Sequence, residues 1–238
     1  MAAIDEINAL QELRHKHVVT LHEVYAKPSG NIFLVFDFLD VDLEQIISAK
    51  NPDREPYVAL VPADVTSYTH MLLQAVAACH CRGLLHRDLK PGNLLIDSSG
   101  ILKLGDFGLA RDYGSPQHQY TPSAFTRWYR PPELLMSCYQ YGEGADMWSV
   151  GCILAEMLLR KPFFQAETDL GQLSQIMQKM GSPDALLYKR LLSKNDEDVG
   201  LSFKQMDPKP MQQLVPNACD DACKLLSALL DYDPARRP

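Results

Sequence analysis

Two short motifs that follow each other closely constrain this chain more than any other feature. The first reads His-Arg-Asp-Leu-Lys-Pro-Gly-Asn over residues 86–93, and the second reads Asp-Phe-Gly over residues 106–108. Together they supply carboxylates, an amide and a lysine, which are side chains that bind Mg²⁺ through oxygen and hold phosphate by charge. The plain alternative is that Asp and Asn only begin turns between short strands. That alternative explains one motif, but not both followed by Pro-Pro-Glu at residues 131–133.

The two motifs resemble the catalytic loop and the metal-binding loop of eukaryotic protein kinases. The resemblance implies that Asp88 is the catalytic carboxylate near the attacking hydroxyl and that Lys90 reaches the transferring phosphate. It also implies that Asn93 and Asp106 bind Mg²⁺. Thr126 completes the catalytic group that this resemblance predicts.

The segment after the second motif narrows the family. The Thr-Arg-Trp-Tyr-Arg block at residues 126–130 resembles proline-directed kinases, which include the cyclin-dependent kinases and the MAP kinases. MAP kinases carry Thr-x-Tyr in this loop, whereas Ser123 stands where that tyrosine would be. Residues 35–39 and the Gly-Ser-Pro at 114–116 resemble cyclin-dependent kinases, and the best likeness is to the activating-kinase and cell-cycle-related subgroup.

This resemblance, which runs from residue 3 onward, implies a two-lobed α+β fold with a mostly helical large lobe. It implies a serine/threonine kinase that transfers the ATP γ-phosphate to proteins, with ATP and Mg²⁺ in the site. Phe125 and Arg130 resemble a pocket that accepts proline after the phosphorylated residue. A cyclin is a possible partner, and an intracellular location in the nucleus or cytoplasm is expected.

The start of the chain resembles the αC helix of the small lobe. Apolar residues recur at helical spacing over residues 3–13, and Glu6 falls where the family has its αC glutamate. The sequence has no G-x-G-x-x-G before Asp88, and neither Lys16 nor Lys27 lies in an apolar strand. A Gly-rich loop and a lysine in the third strand are the usual partners of ATP in this family.

We therefore expect residues 1–39 to be a remnant of the small lobe with the hinge, and residues 40–238 to be a large lobe without its last helices. The intact motifs favour an active enzyme, whereas the missing loop and lysine favour a catalytically inactive, binding-only protein. Both observations are explained if this chain is a fragment of a longer kinase that is active. Under that hypothesis the 238-residue chain alone does not phosphorylate substrates at a useful rate.

The resemblance also assigns a nucleotide site. Asp37 and Leu39 would offer backbone groups to adenine, so the identity of their side chains carries little information about this site. Leu95 would form the floor of the adenine site. Asp42 is placed in the same site and is also a good N-cap for a helix that begins at residue 43.

Thr121 is predicted to be an activating phosphorylation site. Arg87 and Arg111 would pair with its phosphate, and such charge-assisted contacts can order a loop. Asp5 stands where cyclin-dependent kinases usually have an arginine before Glu6, so the clamp would rest on the other two arginines. The plain alternative is an exposed Thr-Pro in a turn.

Two structural roles follow from the same resemblance. Glu133 and Arg237 are predicted to form a buried ion pair that fastens the segment after residue 106 to the large lobe. Asp146 is predicted to brace the backbone of the catalytic loop. The pattern also predicts a buried strand at 32–36 with a partner at 17–25, and helices at 62–82 and 145–160.

Composition is that of an ordinary globular protein, with 46% hydrophobic and 22% charged residues. No apolar run is long enough for a membrane span, so no membrane partner is expected. The net charge of −7 argues against nucleic-acid binding through charge alone. The six cysteines form no C-x-x-C pair, and reduced thiols are a better interpretation than zinc ligands near Cys79 and Cys81.

Overall fold

Short strands precede a mainly helical second part in the computed structural model, which describes residues 7, 10–11, 13–27, 31–49, 60–112, 125–136, 138, 141–184, 187 and 205–238. The strands are β1 (Leu21–Ala26), β2 (Ile32–Phe36), β3 (Val41–Asp42), β4 (Leu84–Leu85), β5 (Leu94–Ile96), β6 (Leu102–Leu104) and β7 (Arg111–Asp112). The α-helices are α1 (Leu43–Ser48), α2 (Pro62–His80), α3 (Pro132–Leu135), α4 (Glu143–Leu159), α5 (Asp169–Met180), α6 (Met211–Leu214) and α7 (Asp220–Leu229). Single 3₁₀ turns lie at Pro91–Asn93, Arg127–Tyr129 and Pro234–Arg236.

The first sheet is an antiparallel pair of β1 and β2. The prediction that residues 32–36 are buried is wrong, because Ile32 and Phe33 are 43% and 45% exposed. Within the described residues, no further strand pairs with either member of this sheet. The partner strand also starts later than predicted, because residues before it pair elsewhere: Val18 bridges Leu104 of β6 in parallel orientation.

Helix α4 forms the centre of the core. Every residue from Ala145 to Met157 is buried, so apolar residues occur all around this helix rather than along one stripe. Gly151 lets α7 approach closely, since a Cβ there would lie 3.0 Å from Leu229 Cβ. The helix begins at Glu143, two residues before its predicted start.

Helix α2 starts where its sequence predicts, with Pro62 in the first turn, where the missing N–H costs no hydrogen bond. It ends at His80 rather than residue 82. The chain then reverses through Gly83, whose φ of 71° is readily adopted by glycine.

Two small sheets bring the two motifs together. Strand β5 pairs with both β3 and β6, and β4 pairs with β7. Residues 86–93 connect β4 to β5, and residues 105–108 follow β6 directly. Because β5 and β6 are antiparallel neighbours, with Leu94 opposite Leu104, the end of the first motif lies beside the start of the second.

In the part of the chain that the structure describes, no helix combines the length and the apolar character needed to cross a membrane.

All six cysteines are free thiols. Among the described residues, no group of three or more His, Cys, Asp or Glu side chains is arranged to hold a metal ion.

Candidate active site

A buried carboxylate on α4 holds the loop that carries the first motif. Asp146 accepts hydrogen bonds from the backbone N–H groups of His86 and Arg87, each at 2.9 Å. The ring of His80 contacts the same carboxylate at 2.9 Å. Burial acts to raise the pKa of Asp146, but the hydrogen bond from His80 and the nearby charges outweigh it and keep the pKa below its usual value. The carboxylate therefore stays ionised and fixes the loop backbone.

Two motif residues adopt the left-handed backbone that glycine prefers. Arg87 has a φ of 69° and Asp106 a φ of 58°. A non-glycine residue in this region costs roughly 1–3 kcal/mol, so surrounding contacts must hold it there. For Arg87 they include Nε donating to the Leu109 carbonyl at 2.7 Å and Nη1 donating to the Tyr141 hydroxyl at 3.1 Å.

The carboxylate of Asp88 is oriented by four hydrogen bonds. Its Oδ1 accepts from the hydroxyl of Thr126 at 2.6 Å and from the Thr126 backbone N–H at 3.2 Å. Its Oδ2 accepts from Lys90 Nζ at 2.8 Å and from Asn93 Nδ2 at 3.1 Å. The structure thus brings together the three residues predicted as catalytic and one predicted metal ligand, around a carboxyl that is only 7% exposed.

Asn93 and Asp106 offer oxygens of the kind that Mg²⁺ prefers. Asn93 Nδ2 donates to both the backbone carbonyl and the side chain of Asp88. The amide nitrogen is therefore used within the protein, and the amide oxygen Oδ1 is left to bind a metal ion. Asp106 is exposed, and its Oδ1 makes a long contact of 3.4 Å with the Gly108 N–H. This donor set fits Mg²⁺, which usually takes one or two protein oxygens and completes its shell with phosphate and water.

The side chain of Asp37 holds the hinge in place through hydrogen bonds. It accepts hydrogen bonds from Lys103 Nζ at 2.6 Å, His22 Nε2 at 2.7 Å and the Thr20 N–H at 3.2 Å. Burial opposes ionisation of Asp37, but these three donors hold its pKa well below the usual range. This carboxylate therefore ties the hinge to β1 and β6, a structural role that is separate from the backbone contacts to adenine predicted for residue 37.

Of the other predicted nucleotide residues, Leu95 lies against the backbone that leads into the second motif. Asp42 caps α1 by accepting from the Gln45 N–H at 2.8 Å. Leu95 on β5 lies opposite Asp42 on β3. A Cβ on Gly105 would stand 3.2 Å from Leu95 Cδ1, so this leucine packs against the backbone directly before Asp106.

Phe125 and Arg130, the predicted proline pocket, contact each other directly. Arg130 Nη2 donates to the Phe125 carbonyl at 2.8 Å. Phe125 is buried, and its ring packs edge-to-face against Tyr141 with ring centres 5.7 Å apart. The carbonyl that precedes Thr126 is thus already occupied by a cation.

Part of the predicted regulatory clamp lies outside the described residues. Glu6 and Thr121 belong to that part, so their roles stay predictions. Arg87 and Arg111 both lie among the described residues. Leu85 pairs with Arg111 across β4 and β7, and this pairing brings Arg111 near Arg87, two residues after Leu85. Arg111 Nη1 donates to the carbonyl of Ala110 at 2.7 Å.

The predicted pair of Glu133 and Arg237 is present and buried. Arg237 Nη1 and Nη2 donate to the two oxygens of Glu133 at 2.7 and 2.8 Å, which is a bidentate contact. The two side chains are 0% and 2% exposed. The guanidinium carbon also lies 5.0 Å from the ring centre of Trp148.

Two carboxylates near the site were missed by sequence reasoning. Glu156 on α4 accepts from the Tyr129 hydroxyl at 2.8 Å, and burial raises the pKa of Glu156 to about 7. Asp169, the first residue of α5, contacts Arg127 and Arg130. Both sit far along the chain from their partners, and the only local signal was that Asp169 follows Thr168, a good helix cap.

Comparison with known proteins places this geometry in a family. A family model described as a protein kinase domain matches residues 1–238, so the chain belongs to the protein kinase family. This confirms the fold class and the family predicted from the two loop motifs.

The similar proteins are named as cyclin-dependent kinases or a related serine/threonine kinase. The chain is 44% identical over 235 residues to cyclin-dependent kinase 7 of Xenopus laevis, covering 99% of this chain and 64% of that protein. It is 42% identical over 235 residues to cyclin-dependent kinase D-1 of Oryza sativa subsp. indica, covering 99% and 53%. It is 43% identical over 240 residues to the serine/threonine-protein kinase crk1 of Schizosaccharomyces pombe, covering 100% and 68%. The chain therefore spans between half and two thirds of most of these relatives, and the predicted likeness to the activating subgroup of cyclin-dependent kinases is confirmed.

Proposed function

We propose that this chain forms most of the catalytic domain of an ATP-dependent protein serine/threonine kinase. The arrangement around Asp88 is the observation that carries the proposal. Thr126, Lys90 and Asn93 aim its carboxylate with four hydrogen bonds, which is more than a turn-forming aspartate needs. Positioning and charge are most of what this reaction requires of a protein.

In the proposed reaction an acceptor hydroxyl binds beside Asp88, which orients it and accepts its proton. The hydroxyl oxygen then bonds to the γ-phosphorus as the bond to the β-phosphate oxygen breaks, leaving ADP. Lys90 Nζ, 2.8 Å from Asp88 Oδ2, is placed to offset charge on the transferring group. Lys90 is 32% exposed, so it can move toward a bound phosphate.

Asn93 and Asp106 are the residues that would hold Mg²⁺. The ion, when bound, offsets the negative charge on the phosphate oxygens. The protein's own contribution is to orient the two ligands: Asn93 through its amide contacts to Asp88, and Asp106 through a left-handed backbone with a φ of 58°.

Adenine is proposed to bind along the hinge. Among the described residues, no hydrogen bond uses the backbone N–H or carbonyl of Leu39, so both are available to a ligand. Asp37 has its side chain turned to Lys103 and His22, which keeps this strand in place. Leu95 provides an apolar surface beside the second motif.

Substrates are proposed to carry proline after the phosphorylated Ser or Thr. The Phe125 carbonyl already accepts from Arg130 at 2.8 Å. A backbone N–H on the residue after the acceptor would therefore lose its hydrogen bond to water without gaining this carbonyl. Proline has no N–H, so it avoids that penalty.

A cyclin partner and activation through phosphorylated Thr121 are proposed on the likeness to the relatives, together with an intracellular location. The names of the relatives support the cyclin. Arg111 and Arg87 support the phosphorylation, because β4 and β7 bring them near each other.

The test is transfer of radiolabel from [γ-³²P]ATP to a Ser-Pro peptide by the purified protein, in the length that its own cells produce, with candidate cyclins added. Asp88→Asn is the matched control, since it keeps the shape of the side chain. Turnover of the unaltered protein should exceed that of the control by at least about a hundredfold. Equal turnover of the two proteins would contradict the proposal and favour a binding-only role.

A further inference from the structure

The carboxylate of Asp169 holds two arginines beside the proposed proline pocket. Its Oδ1 accepts from Arg127 Nε at 2.6 Å, and its Oδ2 accepts from Arg130 Nη1 at 3.0 Å. Helix α5 fixes this carboxylate, because Asp169 is its first residue and Thr168 caps it by accepting from the Gly171 N–H at 3.0 Å.

Arg130 depends on this contact. Its side chain is only 7% exposed, whereas Asp169 is 48% exposed. Within the described part of the chain, Arg130 Nε is buried without a hydrogen-bond partner, so the polar contacts of this side chain are those to Asp169 and to the Phe125 carbonyl. A buried guanidinium that contacts both the Asp169 carboxylate and the Phe125 carbonyl keeps one orientation. If the carboxylate is lost, only the neutral carbonyl remains to hold the guanidinium in that orientation.

We propose that Asp169 is a positioning residue that sets the preference for proline after the phosphorylated residue. This inference rests on the proposed kinase function. Asp169 keeps Arg130 directed at the Phe125 carbonyl. While Arg130 occupies that carbonyl, a substrate N–H finds no acceptor there, and proline is favoured.

The expected effect of releasing Arg130 follows from the same contacts. When the guanidinium turns away, the Phe125 carbonyl becomes free to accept from a substrate N–H. Substrates without proline then gain about one hydrogen bond, whereas proline substrates gain nothing. The ratio of kcat/KM for proline over alanine should fall about 3- to 10-fold, the scale of one such bond.

A simpler role for Asp169 must be separated from this one. An acidic residue in the first turn stabilises a helix through its dipole, whatever it contacts. Asp220 offers a matched control, because it is the exposed first residue of α7. The side chain of Cys219, at the N-cap position before it, makes no capping hydrogen bond. If only the charge at the helix terminus matters, substitutions at Asp169 and at Asp220 should both lower the melting temperature. Neither substitution should then change the preference for proline.

The experiment compares Asp169→Asn, Asp169→Glu and Asp220→Asn with the unaltered protein on two peptides that differ only in Ser-Pro and Ser-Ala. We expect Asp169→Asn to lower the Pro/Ala ratio, mainly through better use of Ser-Ala and a lower KM for it. Asp169→Glu, which retains the charge, should restore part of the ratio, and Asp220→Asn should leave it unchanged. If Asp169→Asn does not fold, Asp169→Ser replaces it.

The outcomes separate this inference from the function on which it rests. An unaltered protein with no turnover above Asp88→Asn overturns the kinase proposal itself. An active protein that shows no Pro/Ala preference, or one whose preference survives in Asp169→Asn, overturns the inference and leaves the kinase proposal standing. An equal loss of preference in Asp220→Asn would also overturn it, because the effect would then belong to helix stability.

Discussion

Removing the side chain of Arg237 should destabilise the fold strongly. Besides its two bonds to Glu133, Arg237 donates from Nη1 to the Gly144 carbonyl at 2.7 Å and from Nε to the Asp231 carbonyl at 2.8 Å. Arg237→Ala would leave the Glu133 carboxylate buried without its cation. Breaking one partner of a buried pair typically costs about 3–5 kcal/mol, most of it from the uncompensated charge.

The assay is thermal unfolding followed by circular dichroism. In a chain of 238 residues each kcal/mol lowers Tm by about 2–4 °C, so Arg237→Ala should lower it by roughly 6–20 °C. The neighbouring Arg236 is a matched control, because it is 73% exposed and lies 3.9 Å from Asp231. Arg236→Ala should change stability by less than about 1 kcal/mol.

A double variant tests the reasoning about charge. Combining Arg237→Met with Glu133→Gln removes both charges and should cost less than Arg237→Ala alone, since no ionised group is left buried. If Arg237→Ala melts no lower than Arg236→Ala, the pair does not fasten this part of the chain. If the double variant is as unstable as Arg237→Ala, the cost comes from lost packing over Trp148 rather than from charge.

Four further predictions concern the site. Asp88→Asn should reduce turnover at least about a hundredfold while nucleotide binding, measured by calorimetry, survives; a loss of melting temperature instead would indicate a structural aspartate. Thr121→Ala should abolish activation by an added upstream kinase, and full activity with a cyclin present would exclude regulation at this residue. Lys103→Met should raise the KM for ATP by up to about fivefold with little change in kcat, because it loosens Asp37 in the hinge; an unchanged KM would show that the contact does not hold the hinge. Burial raises the pKa of Glu156 from 4.5 to about 7, so the folded state binds this proton more tightly than the unfolded state. The contribution of this group to the free energy of unfolding is fully present below pH 4.5 and is lost as pH rises through 7. Denaturant titrations at a series of pH values should therefore show the free energy of unfolding fall by roughly 3 kcal/mol, and Glu156→Gln should remove this pH dependence.

Helix starts, caps and turns were predicted correctly where the backbone conformation depends mainly on a single residue. Pro62 starts α2 because proline fits the first turn of a helix, and Gly83 ends the reversal after it because a φ of 71° suits glycine. Asp42 caps α1, as the sequence predicts. Errors arose where burial depends on distant neighbours, as in β2, where Phe33 is 45% exposed although its strand is apolar throughout.

The amino-acid sequence by itself determined the family and singled out the residues of the candidate site. The order of the residues in the loops at 86–93 and 106–108 carries that information, and comparison with similar proteins confirms the family. Only the tertiary structure showed how these side chains are held. Lys103 meets Asp37 across 66 positions, and Asp169 meets Arg130 across 39. Such contacts leave no local pattern, because they depend on where β6 and α5 pack against the rest of the fold, and hydrogen bonds form only between groups that packing has already brought within reach.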